Sequence, residues 1–599
     1  GGGLRGFPVG AMHNPGAGGG GWGGGGGAGG GGGGGGHGSD PGRRGGATPP
    51  QAAPAGRGFL FATCVIALIA TSFAFIIRAF IIDDWAAEFG LSETQKGELF
   101  GAGLWPFAIS IILFSLVIDR IGYGVAMGFA LACHVVSAAV TIAVTPLSNA
   151  LPGDAYAWLY IGNFICALGN GTVEAVINPV VAAMFVNAKT KWLNILHAGW
   201  PGGLVVGGLL TLALLPGNAL GALAGATLDN PVDWRWKVAL LLIPTLIYGV
   251  MLLRCRFPVS ERVAAGVSYR AMLAEFGALG MLIAAWLIIA ELGRVATDQI
   301  ESMTELTRAI NGEPGWTWWM TAMFAVPIAL GYGLISRSLG RPLFVFLLLV
   351  MILLATTELG TDAWIKSLMT PIMDQAFGLD GGWVLIYTAT IMIVLRTFCG
   401  PIVKRLNPLG LLAVSCLFAA AGLAFLSTAA GWVILLAATV YGIGQTFFWP
   451  TTLGLVAERF PKGGALTLNA IAGVGMLGVG ILGATLIGNI QDRHIAAVVQ
   501  AQQPDIADAV FADEPTASVL GSYRKLDAAK RDALPAEQAA AVIAVQNEAK
   551  QQALLQVAVL PLIMFACYLG LILWFRTQGG YRAERLEPQT HAPPTPPNG

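Results

Sequence analysis

Charge is scarce in this sequence. Lys, Arg, Asp and Glu make up 11% of its 599 residues, against about 25% in a soluble domain. Such a chain cannot cover its own surface in water. Charge of one sign is missing too. Lys and Arg total 34 and so do Asp and Glu, which argues against a nucleic-acid partner. The seven cysteines are scattered without a CxxC spacing, so neither a disulfide framework nor a zinc site is indicated, and no metal or cofactor is expected. The outer loops carry no cluster of His or Cys of the kind a membrane-surface enzyme needs, and no enzymatic activity is expected.

What the sequence has is glycine at one end and apolar runs elsewhere. Residues 1–57 are a glycine tract with a few Pro, His and Arg. Such a tract buries too little apolar surface to offset its chain entropy, and is expected to be a disordered cytoplasmic arm. It lacks the apolar core of a signal peptide.

From Gly58 onward apolar runs of about 20 residues recur, long enough to cross a hydrocarbon core of about 30 Å as helices. Lipid offers backbone groups no partners, so spans of this kind must be helical. They fall near 58–82, 97–118, 124–146, 156–185, 193–215, 237–253, 271–293, 316–336, 342–360, 382–400, 408–428, 431–457, 463–490 and 552–575. The fold class is therefore an all-α polytopic membrane protein of about fourteen spans.

Basic residues in alternate loops orient it. With both termini cytoplasmic, the inner loops hold Arg120, Lys189 and Lys191, Arg254 to Arg270, Arg337 and Arg341, Lys404 and Arg405, and Arg459 and Lys462. The outer loop 83–96 is acidic. Six spans (58–253) precede a cytoplasmic loop (254–270), an inserted hairpin of two spans follows (271–341), and six more close the chain (342–575) before a cytoplasmic tail (576–599). The polar segment 491–551 falls outside, and its second half is expected to be a helix running into the last span. The setting is a bacterial-type inner (plasma) membrane, with the lipid bilayer as partner.

Certain stretches resemble a known family. "GELFGAGLWPFAISIILFSLVIDRIGYG" looks like the second helix and following loop of the major facilitator superfamily, with Asp119, Arg120, Gly122 and Gly124 matching its G-x-x-x-D-R-x-G gating loop. Ser115 replaces the first glycine. "NGTVEAVINPVVAAMFVNAKTKWLNILHAGWPGG" is similar to the fourth and fifth helices of the fucose/galactose/glucose–proton symporter branch, through Glu174, Asn178, Pro179, Lys191, Leu193 and Asn194. "LATTELGTDAWI" resembles its seventh helix, with Glu358. "IMIVLRTFCGPIVKRLNPLGLL" and "YGIGQTFFWPTTLGLVAERF" resemble its eighth and tenth. His197 and Trp200 stand where the branch has Gln and Asn. The hairpin, the arm and 491–551 lie outside the likeness.

The resemblance implies two six-helix bundles that rock about a central site. The solute would be small and polar, a sugar by analogy, coupled to H⁺, with Na⁺ the alternative. The residues agree with such a role. Ionisable groups inside a bilayer are costly and usually functional, and a carboxyl removed from water holds its proton more readily. Glu174 lies well inside an apolar span and is the first candidate for proton coupling. Glu358 is its counterpart, toward the outer end of its span, and Asp83 and Asp84 follow the first span. Arg78, a cation inside the first span, could pair with those acids or bind an anionic solute, which would make the chain an anion transporter. Candidate solute-binding groups are Asn163 and Asn178, then Asn194, His197 and Trp200, then Gln445, Trp449 and Asn469. Arg396 is expected to be structural or to gate. A non-transporting sensor on the same scaffold is the alternative of another class, with the hairpin and outer loop as its readout.

Overall fold

The computed structural model describes residues 56–586, except 92–98, 215–218, 224, 226, 228–231, 313–314, 380, 512–523 and 525. The glycine-rich arm and the acidic Glu93 fall outside the described residues, as does the end of the tail. Among the described residues there are no strands, only an isolated bridge between Phe511 and Leu526. Thirteen helices are long and apolar enough to cross a membrane, or fourteen with one bent pair counted as a span.

The first group comprises α1 (Arg57–Phe89), α2 (Trp105–Ile121), α3 (Tyr123–Ile142), α4 (Ala155–Met184), α5 (Lys189–Leu196), α6 (Gly199–Ala213) and α7 (Leu242–Leu252). α4 packs against α2 and α3, and α1 against α6 and α7. A hairpin follows, made of α8 (Tyr269–Gln299), a short amphipathic α9 (Glu301–Asn311) and α10 (Trp318–Ser336). α8 is broken at Gly277, whose φ of 65° suits only glycine. There the helix gives up its own ladder, and the amides of Ala278 and Leu279 donate instead to the carbonyls of Ser338 and Leu339.

The last group starts with α11 (Pro342–Ala355), which runs through a π-helical turn at Thr356–Gly360 into α12 (Thr361–Phe377). The chain then bends by 99° into α13 (Gly382–Thr397). α14 (Pro408–Leu426), α15 (Val433–Gln445), α16 (Phe448–Arg459) and α17 (Gly464–Gly478) follow. A second π-helical turn, Val479–Gly483, continues into α18 (Ala484–Gln502). α19 (Ala536–Val557) and α20 (Val559–Thr577) close the fold.

The helix after the second π turn runs beyond the sequence expectation of 490, to Gln502. Ile495 and Val499 give its polar extension one apolar face, which is buried with Val542, Val545 and Ala549 of α19. Two helices thus form a small core of their own in the segment expected to be an outer loop.

The two groups meet along three seams: α17 against α2 and α4, α13 against α6, and α16 against α5. Other faces expose large apolar side chains, among them Val125, Val250, Leu334 and Leu573. On this many helices, such faces are what lipid covers.

Candidate functional site

Prolines set up the centre of the molecule. A proline within a helix has no N–H to offer and leaves the carbonyl four residues earlier without its helical partner. Pro179 in α4 frees Ala175, Pro201 at the start of α6 frees His197, and Pro450 in α16 frees Thr446. A carbonyl freed inside a protein needs another donor. All three find one. Asn469 Nδ2 donates to the Ala175 carbonyl at 2.9 Å. Arg396 donates through Nη1 to the His197 carbonyl at 2.9 Å and through Nε to the Thr446 carbonyl at 2.6 Å. Two of these bonds cross from one group of helices to the other.

A continuous polar chain passes through these residues. Asn178 Nδ2 donates to Glu174 Oε2 at 2.6 Å, one helical turn apart on α4. His197 Nε2 lies 2.9 Å from Asn178 Oδ1. Since the amide nitrogen faces the carboxylate, the amide oxygen faces the ring, and Nε2 carries the imidazole proton. Through its main chain His197 meets Arg396, and Arg396 Nη2 donates to Glu358 Oε1 at 2.9 Å. The other oxygen, Glu358 Oε2, accepts the Trp449 amide at 3.1 Å. Glu174, Asn178, His197, Glu358 and Arg396 are all at most 4% exposed. Glu358, expected toward the end of its span, is instead fully enclosed, in the π-helical turn.

Asp362, which the sequence reading passed over, lies one turn beyond Glu358. It lines a cavity of about 220 Å³ between α1 and α6 on one side and α12 and α13 on the other. Lys366 lines it too, with its ammonium 5.7 Å from the Phe80 ring. Asp362 lies within hydrogen-bond reach of the Gln445 side chain. With the amide oxygen turned toward the carboxylate neither Asp362 Oδ1 nor Gln445 Oε1 has a donor, and turning the amide over lets Nε2 donate to Asp362. The signal was in "TELGTDAW", where two acids four apart share a helix face.

The remaining candidates fall into separate places. Asn194 Nδ2 donates to Thr451 Oγ1 across the α5–α16 seam at 3.2 Å. Gln445 Nε2 contacts Met392 Sδ, and Trp449 is buried against Gly475. Trp200 packs on Phe75, which lines the cavity. Arg78 and Asn163 lie away from the seams, in the interior of the first group. Asp84 is paired with Lys237 at 2.6 Å, and the Asp83 side chain falls outside the described residues. Asp119 holds Arg262 at 2.6 Å, Arg120 stacks over the Tyr269 ring, and Gly122 ends α2 with φ 85°.

At the Lys189 end the two groups are tied together. Lys189 donates to Glu261 and to the Ala457 carbonyl, and Thr190 Oγ1 to Glu458 Oε1 at 2.6 Å. The approach is close enough to require glycine: a Cβ on Gly454 would lie 2.4 Å from Thr190 Oγ1. The cavity sits toward the opposite end.

The family model described as the Major Facilitator Superfamily matches residues 59–485. The chain belongs to this superfamily. Its members move small solutes across membranes, and the chain is an integral membrane protein with that transporter fold. Among solved structures, the proton:xylose symporter XylE of E. coli, bound to 6-bromo-6-deoxy-D-glucose, is 14% identical with a TM-score of 0.51, covering 75% of this chain and 92% of that one. A bacterial homologue of the human drug peptide transporters gives 0.50 at 11% identity, covering 87% of this chain and 99% of that one. The E. coli fucose:proton symporter FucP, in its outward conformation, gives 0.48 at 14%, covering 84% and 98%. At these identities the likeness is one of superfamily fold. No curated protein matches by sequence.

Proposed function

We propose that the chain is a secondary active transporter that moves a small polar solute, a sugar, by alternating access in symport with protons. The observation that carries the reading is the buried chain Glu174–Asn178–His197–Arg396–Glu358, which joins one carboxylate of each helix group across the seam. Glu358 has its charge answered by Arg396, whereas Glu174 accepts from a neutral amide. Of the two, Glu174 is therefore the group better suited to gain and lose a proton. Any change in what Glu174 offers Asn178 reaches the seam through His197.

The solute would enter the cavity lined by Asp362 and Lys366 and reach Gln445, Trp449 and Trp200 from there. A carboxylate and an amide side by side, Asp362 and Gln445, suit a hydroxyl-rich ligand, whose O–H groups can donate to both. The likeness to a xylose symporter agrees with a sugar, but the likeness to a peptide transporter is equal in kind, so the site's chemistry bears the weight. The basic residues about Lys189 support a cytoplasmic reading of that end. The tied Lys189 end and the cavity at the other end then make this an outward-facing arrangement.

The test is uptake of radiolabelled monosaccharides into proteoliposomes, with and without an inward proton gradient. Accumulation of one sugar only under the gradient supports the reading. If no sugar accumulates under a proton or a sodium gradient, the sugar reading is wrong.

A further inference from the structure

Arg78 and Asn163 lie apart from the transport path and form a site of their own. Arg78 on α1 is 6% exposed. Its guanidinium reaches α2 where that region is broken, pressed so close to Gly103 that a Cβ there would sit 1.6 Å from Arg78 Nη1. Only glycine admits this pose. Among the described side chains no carboxylate pairs with Arg78, and the carboxylate nearest in sequence with a described side chain, Asp84, is taken by Lys237. A guanidinium keeps its proton in any protein environment, and a buried charge without a counter-charge costs several kcal/mol.

Beside Arg78 is a second cavity, lined by α1, α3, α4 and the helix at Trp234–Leu252, with no residue from the last helix group. Its volume is about 30 Å³, room for a small ligand of the size of one or a few waters. Trp85 and Asn163 line it, 1% and 4% exposed. Trp85 Nε1 and Asn163 Nδ2 are both buried without a hydrogen-bond partner. Both orphans are N–H donors. The Cys166 thiol, within hydrogen-bond reach of Arg78 and Ser137, and the hydroxyls of Ser137 and Thr141 complete the polar lining. A neutral thiol leaves the Arg78 charge unanswered, and the hydroxyls can turn to donate as well.

A single compact pocket thus holds one fixed positive charge and two unanswered donors. A cation would be repelled. A water would answer the donors and leave the charge. We propose that this pocket is a resident monovalent-anion site of halide size, occupied by chloride under ordinary conditions, which neutralises Arg78 and fastens α1, α3 and α4 together. The anion is a structural ligand of the first helix group, not the solute carried between the groups.

The experiment follows thermal unfolding of the purified full chain in detergent, in sodium chloride against sodium gluconate at equal ionic strength. The expected result is a Tm that rises with chloride and saturates, with bromide able to substitute and gluconate and sulfate inert. Trp85→Phe and Asn163→Ala each remove one donor and should raise the half-saturating chloride concentration about tenfold. Arg78→Met should abolish the response. If that variant does not fold, the two donor variants carry the test. Glu174→Gln should respond to chloride as the native protein does, so this outcome is independent of the transport reading. Crystals soaked in bromide should show an anomalous peak within hydrogen-bond reach of Arg78. Equal Tm in chloride and gluconate would overturn the proposal, because Arg78 would then be neutralised by another group, Asp83 included. An unchanged half-saturation in both donor variants would overturn it as well.

Discussion

Arg396 donates to the main-chain carbonyl of His197 at 2.9 Å, across the seam between the two helix groups. The carbonyl is available because Pro201 cannot use it. The same guanidinium holds Glu358, and the same histidine, through its ring, holds Asn178 and so Glu174. A bond between groups that slide past each other can serve transport only if it breaks and reforms. Each residue in this chain therefore has a testable share.

Pro201→Ala returns an N–H to the His197 carbonyl, where it competes with Arg396. The helix itself gains from losing a proline, while the seam loses a bond. Thermal unfolding should change little or rise, and the initial rate of uptake should change several-fold. A variant with native transport would mean the His197–Arg396 contact is incidental.

Arg396→Met leaves Glu358 buried without its cation. Breaking one partner of a buried pair costs about 3–5 kcal/mol. The loss should appear as a large fall in Tm, and Arg396→Met combined with Glu358→Gln should recover part of it. A double variant no more stable than the single one would show that the pair is not coupled.

His197 is expected to act through one donated hydrogen bond, from Nε2 to Asn178. His197→Gln supplies an N–H in its place and should keep gradient-driven uptake. His197→Leu fills the space but leaves Asn178 Oδ1 unanswered, at about 1–3 kcal/mol, and should lose it. Equal loss in both variants would point to imidazole chemistry, with His197 itself carrying the proton.

Gly454→Leu puts a side chain where Thr190 now sits, so the Lys189 end should fail to close. Cys399 is fully buried at that seam, with its thiol on the Lys191 carbonyl. Peptide-resolved maleimide labelling should find Cys399 protected in the native protein and reactive in the variant. Continued protection would mean that this end does not open.

The helices were legible because lipid forces apolar runs of a fixed length, and the fourteen expected runs overlap observed helices along most of their length, with ends and internal breaks misplaced by a few residues. The misjudged stretches are those where one helix serves both membrane and water. α12 carries on past 360 with Asp362 and Lys366 on its cavity face, and α18 runs past 490 because Ile495 and Val499 meet α19. Hydropathy averages over a window and cannot see a single apolar face. In the site, Glu174 and Asn178 could be found because a carboxylate inside an apolar run is conspicuous and Asn178 stands one turn away. The pairing of Glu358 with Arg396 could not, since it depends on how α12 and α13 fold back on each other. Pro179, Pro201 and Pro450 were readable as freed carbonyls, but their donors come from other helices, and no local pattern names them. Arg78 and Asn163 stood out as polar groups in apolar spans, and only packing separates them from the seam.

The central claim is that Glu174 carries the coupling proton. Its most direct test compares native protein and Glu174→Gln in proteoliposomes, reading gradient-driven accumulation and counterflow exchange of the same sugar. Glutamine keeps the size of the side chain and an oxygen for Asn178, so the fold and exchange should survive while accumulation falls to the level of empty liposomes. Accumulation retained in Glu174→Gln, at a proton gradient of the same size, would contradict the account.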